Sequence, residues 1–197
     1  MVKSKFMKIA LALLFSSALI VIGVMVRVGA IFYITEHTYI GVQGCKGCHS
    51  AAVRGDQYGI WKNSKHAYSY LELASEKAKA YAETHLIQNP QTEPQCLKCH
   101  TTGYGISRKL FQSSFRIEDG VQCEECHGAG SDFSKFNIMK DKLKFIAHGG
   151  VIGDESMCLK CHSADVKDTK RPRCPFQTKN FVYKVALEKI KHPVHAE

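Results

Sequence analysis

Residues 45–49 read CKGCH, 96–100 CLKCH, 123–127 CEECH and 158–162 CLKCH. Each is a CxxC pair followed at once by histidine. With 10 histidines in 197 residues, chance would place one after all four pairs with a probability on the order of 10⁻⁵. Covalent haem needs this arrangement. Two thiols add across the porphyrin vinyl groups, and the next histidine, held at a fixed offset by the first turn of a helix, reaches iron from the proximal side. The sequence therefore predicts four haem c groups, each with its iron, attached through Cys45, Cys48, Cys96, Cys99, Cys123, Cys126, Cys158 and Cys161. The proximal ligands are His49, His100, His127 and His162. Zinc is the competing use of paired cysteines, but a Cys₄ site has no need of a histidine after every pair. Disulfide redox motifs do not come in fours.

Outward from the motifs, the chain is short for its cargo. Once an N-terminal export segment is set aside, about 42 residues remain per haem, too few for a conventional core. The expectation is a mainly α fold with extensive loops and few or no long strands, organised compactly around its four covalently bound haems. Ala67, Leu71, Ala74, Ala78 and Ala82 recur at helical spacing and predict a helix from near Trp61 to about His85. Asn89-Pro90 and Pro94 end it. A second helix is expected over about 132–147, with Phe136, Met139, Leu143 and Ile146 on one side and Gly149-Gly150 as its stop. A third is expected over about 181–191, closed by Pro193. Residues 163–180 read as an exposed loop, and 103–119 as irregular chain or a short hairpin. Trp61, Tyr104 and Phe115 read as haem packing. The motifs are unevenly spaced, so there is no solenoid repeat.

Residues 1–30 carry Lys3, Lys5 and Lys8, then an uncharged run from Ile9 to Val26, then Val28-Gly29-Ala30. This is the pattern of a signal peptide, with an apolar run long enough to serve instead as an N-terminal anchor. Residues 31–197 then form a single tetrahaem domain outside the cytoplasmic membrane, periplasmic or extracellular. The formal charge of +9 is no nucleic-acid signal. Without the basic residues of the leader about +5 remains, and eight propionates against four ferric porphyrins bring the oxidised holoprotein to about +1.

Six further histidines, His37, His66, His85, His148, His192 and His195, are the candidates for the far side of the irons. Two imidazoles give a low-spin, low-potential haem suited to electron transfer, whereas a missing sixth ligand leaves room for a substrate. The run WKNSKHAYSYLEL at 61–73, DGVQCEECHGAGSDFSKF at 119–136 and FVYKVALEKIKHP at 181–193 resemble the tetrahaem cytochrome c-554 family over most of residues 39–195. That resemblance implies a compact helix-and-loop fold with haems in close pairs, working in extracytoplasmic electron transfer. It also implies that His66, in Trp61-x-x-Ser64-x-His66, and His192, in Lys191-His192-Pro193, are distal ligands. One departure stands out, because residues 101–122 have no histidine where the family's founding members supply another distal ligand. His148, His85 or His37 would have to replace it, or one haem stays five-coordinate.

His148, ahead of Gly149-Gly150, is a candidate metal ligand, and His85 is equally well read as a helix cap. His195 lies in the tail, and Cys174 is the ninth, odd thiol among prolines and basic residues. His37 lies between the leader and Cys45, on an arm whose Ile31, Phe32, Tyr33 and Ile34 have no core of their own. It is a candidate sixth ligand, in cis or to a neighbouring copy, the latter giving head-to-tail chains. The leading functional expectation is a carrier passing single electrons among mostly bis-histidine haems and redox partner proteins, without substrate chemistry. The alternatives are a haem enzyme acting on a small nitrogen oxide, a subunit of a conductive filament and a membrane-anchored quinol dehydrogenase. Membrane contact is expected only if the N-terminal segment is retained.

Overall fold

The computed structural model describes residues 36–162 and 181–193. The leader, Cys174, His195 and the expected loop at 163–180 lie outside the described residues. From His37 onward the described residues pack as one compact unit. Its helices are short: α1 Gly41–His49, α2 Gln57–Lys62, α3 Ser69–Glu72, α4 Glu76–Thr84, α5 Pro94–His100, α6 Cys123–His127, α7 Phe136–Met139, α8 Lys142–Ala147, α9 Glu155–His162 and α10 Tyr183–Ile190. Each haem-type motif thus ends a helix, α1, α5, α6 or α9, with its histidine as the last helical residue. The fold is mainly helical, as expected. Among the described residues the one β pairing is an isolated parallel bridge between Tyr39 and Phe111.

The single helix expected over 61–85 is divided into α2, α3 and α4. The periodic alanines were a true helical signal, but polar side chains interrupt it. Helix α2 starts early because the Asp56 carboxylate accepts the Gly59 N–H. Past Lys62, the Ser64 hydroxyl accepts the His66 N–H at 3.2 Å, the local bond that lets serine compete with a helical ladder. Ser75 then caps α4 by accepting the Ala78 N–H at 3.2 Å. In the same way Asp141 accepts from Leu143 and Lys144 at 3.0 and 3.1 Å and splits the expected 132–147 helix into α7 and α8. The apolar stripe read there is only partly covered, with Ile138 buried but Leu143 79 % exposed. The third expected helix is α10. Residues 103–119 form two 3-10 turns, Arg108–Leu110 and Ile117–Asp119, and no hairpin.

The apolar interior is small. Among the described residues the buried apolar side chains are Ile40, Val42, Leu73, Ala82, Phe133 and Ile138, and fully buried Gln122, Thr101 and Thr102 share their space. Polar groups hold the centre together. The Glu124 carboxylate, inside the third motif, accepts N–H bonds from Ile40 at 2.9 Å, Gly41 at 2.8 Å and Gly130 at 2.7 Å. Beside it Gln122 accepts from Val42 and donates to Arg116 O, both at 2.8 Å. These bonds bind the start of α1 to α6. Gly41 allows the approach, with φ +71° and room for a Cβ only 2.8 Å from the Phe115 backbone. Phe115 packs against Tyr39 and Phe111 at ring-centroid distances of 6.1 and 4.4 Å, so its neighbours include protein rings.

Candidate haem-binding site

The four motifs meet in pairs. Helix α1 packs on α6 and α5 on α9. The Cys45 thiol interacts with that of Cys123, and Cys161 with Cys99. Cys158 lies within electrostatic reach of Cys126, whose own burial, first, and then that neighbour push its thiol up to about 11. The motif cysteines therefore run first motif, third, fourth, second. No described motif cysteine is in a disulfide. Among the described residues no three His, Cys, Asp or Glu side chains converge as a metal cage, whereas iron in a porphyrin needs only two protein ligands.

Three motif histidines have their tautomer fixed by oxygen acceptors. His100 Nδ1 donates to Ser69 O at 2.6 Å and His127 Nδ1 to Val151 O at 3.0 Å. His49 Nδ1 lies 3.2 Å from Gln57 Oε1. The Gln57 amide nitrogen faces the carbonyls of Arg54 and Pro193, so its oxygen is the atom left for His49. Each ring then keeps its Nε2 lone pair, the tautomer an iron ligand requires. His162 is held differently, stacked on Phe181 at 4.7 Å with 12° between planes.

Two remote histidines face motif histidines. His66 and His162 have ring centroids 6.2 Å apart, and His192 and His127 are 5.8 Å apart. Two metal–nitrogen bonds of about 2.0 Å, with about 1.1 Å from nitrogen to ring centre on each side, put two imidazoles on one metal about 6 Å apart. Both pairs fit haem iron by that measure. His192 Nδ1 is, moreover, buried with no hydrogen-bond partner, an orphan that iron bound at that nitrogen would explain. Burial, and then His162, hold His66 below the usual imidazole range, and burial does the same to His162. Burial, then His127 and His49, act likewise on His192. Neutral rings keep the lone pairs that metals take.

The positioning of His66 follows from the turn after α2. Val121 N–H reaches His66 O at 3.0 Å, Ser69 Oγ lies 2.8 Å from the same carbonyl, and Trp61 Nε1 donates to Val121 O at 2.8 Å. Gly120 makes that contact possible, since a Cβ there would stand 2.6 Å from His66 O and from Ser69 Oγ, at φ +68°. His192 is carried on the segment after α10, where Gln57 Nε2 donates to Pro193 O at 3.0 Å.

The other candidates stand elsewhere. His85 and His148 cap their own helices through Nδ1, to Tyr81 O at 2.9 Å and Lys144 O at 2.8 Å, and are exposed. His37 Nδ1 meets Asp132 Oδ2 at 2.6 Å, and its Nε2 lies 2.8 Å from where a Cβ on Gly149 would be. Thr38 is tied to Ser131 through both backbone groups. His37 is thus part of the fold of its own chain. Sequence reasoning passed over Glu124 and Gln122, because a carboxylate within a motif carries no mark of burial. It also passed over a cleft beside the first motif. Its walls are Gly44, Cys45, Cys48 and His49 on α1, with Ile40, and Phe133, Ser134, Phe136 and Met139 from around α7.

Comparison with known proteins finds a cytochrome family and relatives of two kinds. The family described as "Cytochrome c554 and c-prime" matches residues 44–128. Cytochrome c-554 of Nitrosomonas europaea is 27 % identical over 158 residues, covering 69 % of this chain and 64 % of that protein. The DnaJ protein homolog XDJ1 of Saccharomyces cerevisiae is 36 % identical over 86 residues, covering 44 % of this chain and 15 % of that protein. The chain therefore spans less than two thirds of either relative. No solved structure matches it.

Proposed function

We propose that this chain is a member of the c554-type cytochrome family that its residues 44–128 match and an extracytoplasmic tetrahaem electron carrier serving redox partner proteins. The family implies haem c and haem-based electron transfer; the count of four, mostly bis-histidine ligation, low potentials and the compartment are our reading. It rests above all on one observation, the facing of His66 on His162 and of His192 on His127. Residues 1–30 serve as export signal or anchor and residues 31–197 as the single tetrahaem domain. No helix among the described residues is long and apolar enough to cross a membrane.

When bound, each haem iron supplies a one-electron ferric/ferrous couple. The chain's own residues set how that couple behaves. His49, His100 and His127 present Nε2 because their Nδ1–H groups are held by oxygens, which also orients the rings. The turn from Asn63 to Ser69 and the segment after α10 deliver His66 and His192, which would help hold two of the irons and keep outside ligands from them. Paired attachment cysteines, Cys45 by Cys123 and Cys99 by Cys161, place the motifs two by two, with Cys126 and Cys158 linking the pairs. His37, tied to Asp132 within its own chain, is not needed as a bridge to a second copy in this reading.

The test is a reductive titration of the purified protein followed by its visible spectrum. A carrier should take up four electrons per chain in reversible steps at low potentials. Irreversible uptake, or turnover of a small nitrogen oxide at a rate far above simple outer-sphere reduction, would overturn the carrier reading.

A further inference from the structure

The cleft beside the first motif is lined by Cys45, Cys48 and His49 but by no second histidine. Its remaining walls come from around α7. Ile40, Phe133 and Phe136 offer no lone pair, so two donors remain, the Ser134 hydroxyl and the Met139 thioether. Ser134 is exposed and Met139 half-buried. A thioether is a soft donor that haem iron accepts opposite histidine, whereas a neutral aliphatic hydroxyl is a poor one. The backbone bearing Met139 is fixed, since Ile138 and Met139 both donate to Lys135 O at 2.9 Å and Ile138 is buried. The methionine side chain, unbranched beyond that anchor, can adjust its reach. None of the other histidines with described surroundings lines this cleft: His66 and His192 face other motif histidines, and the Nδ1 atoms of His37, His85 and His148 are bonded at other places in the chain.

We propose that Met139 is the sixth ligand of the iron held by His49, so that the first motif carries a histidine–methionine haem beside the bis-histidine haems of the third and fourth motifs. This rests on the reading that the first motif binds haem. Methionine opposite histidine raises a haem's potential, so electrons entering at any motif would collect at the first.

The experiment uses full-length holoprotein and its Met139→Leu, Met139→His and His37→Ala variants. The oxidised wild type should show the weak long-wavelength charge-transfer band of iron–thioether ligation, with the intensity of one haem per chain. Met139→Leu should abolish that band, turn one haem high-spin and let its ferrous form bind carbon monoxide. Met139→His should return that haem to the low-spin state without the band and lower one midpoint potential. His37→Ala should change none of these. A wild type without the band, or a Met139→Leu protein that keeps it or keeps its spin state, overturns the proposal. Intact mass separates this from failure of the underlying reading: every variant should retain four haems, and a wild type short of one would overturn the haem assignment itself.

Discussion

Glu124→Ala is expected to destabilise the folded protein by about 3–5 kcal/mol, the scale seen when a buried group is removed and its partners are left unpaired. Glu124 is 3 % exposed. Its carboxylate accepts from Ile40, Gly41 and Gly130, and no other acceptor takes their place when it is gone. Each orphaned buried N–H costs about 1–3 kcal/mol, and relaxation recovers part of the sum. Burial pushes the carboxyl above its usual range while the three N–H donors pull it back, so even a protonated Glu124 keeps acceptors for the donors. Glu124→Gln should recover only part of the loss, because its NH₂ group would oppose one of them. Guanidinium unfolding of the holoproteins, followed by far-UV circular dichroism, measures both. A midpoint unchanged in Glu124→Ala would mean that the joint between α1 and α6 contributes nothing.

His66→Ala and His192→Ala should each convert one haem, and a different one, from low to high spin, with all haems still attached. Attachment uses the motif cysteines and proximal histidines, which neither substitution touches. The two variants should be additive, since their partners His162 and His127 belong to different motifs. The double variant should therefore show two more high-spin haems than the unmodified protein by electron spin resonance. The alternative that these are buried packing histidines predicts loss of stability with an unchanged spin state. Adding free imidazole sharpens the distinction, because it should return each single variant to the low-spin state.

The motifs were legible because their spacing is chemistry: thioether formation and proximal ligation require Cys45, Cys48 and His49, and their three counterparts, in fixed order. His66 and His192 were legible through the family resemblance, and the structure faces both toward motif histidines. The helix boundaries were not. The alanines from Ala67 to Ala82 report a helical preference, but Ser64, Ser75 and Asp141 end or restart helices through side-chain bonds that a periodicity count ignores. Glu124 was invisible for a similar reason, since carboxylates are nearly always exposed and its burial exists only because Ile40, Gly41 and Gly130 converge on it. Met139 was read as one apolar residue in a helical stripe. Its place in the cleft with His49 depends on how α7 folds back on α1, which no local pattern encodes.

The central claim is that all four motifs hold covalent haem, and the intact mass of the protein after acid-acetone extraction tests it most directly. Thioether-bound haem survives that treatment and non-covalent haem does not. The account predicts a mass above that of the processed polypeptide by four haem units. A protein carrying fewer haem units would contradict it.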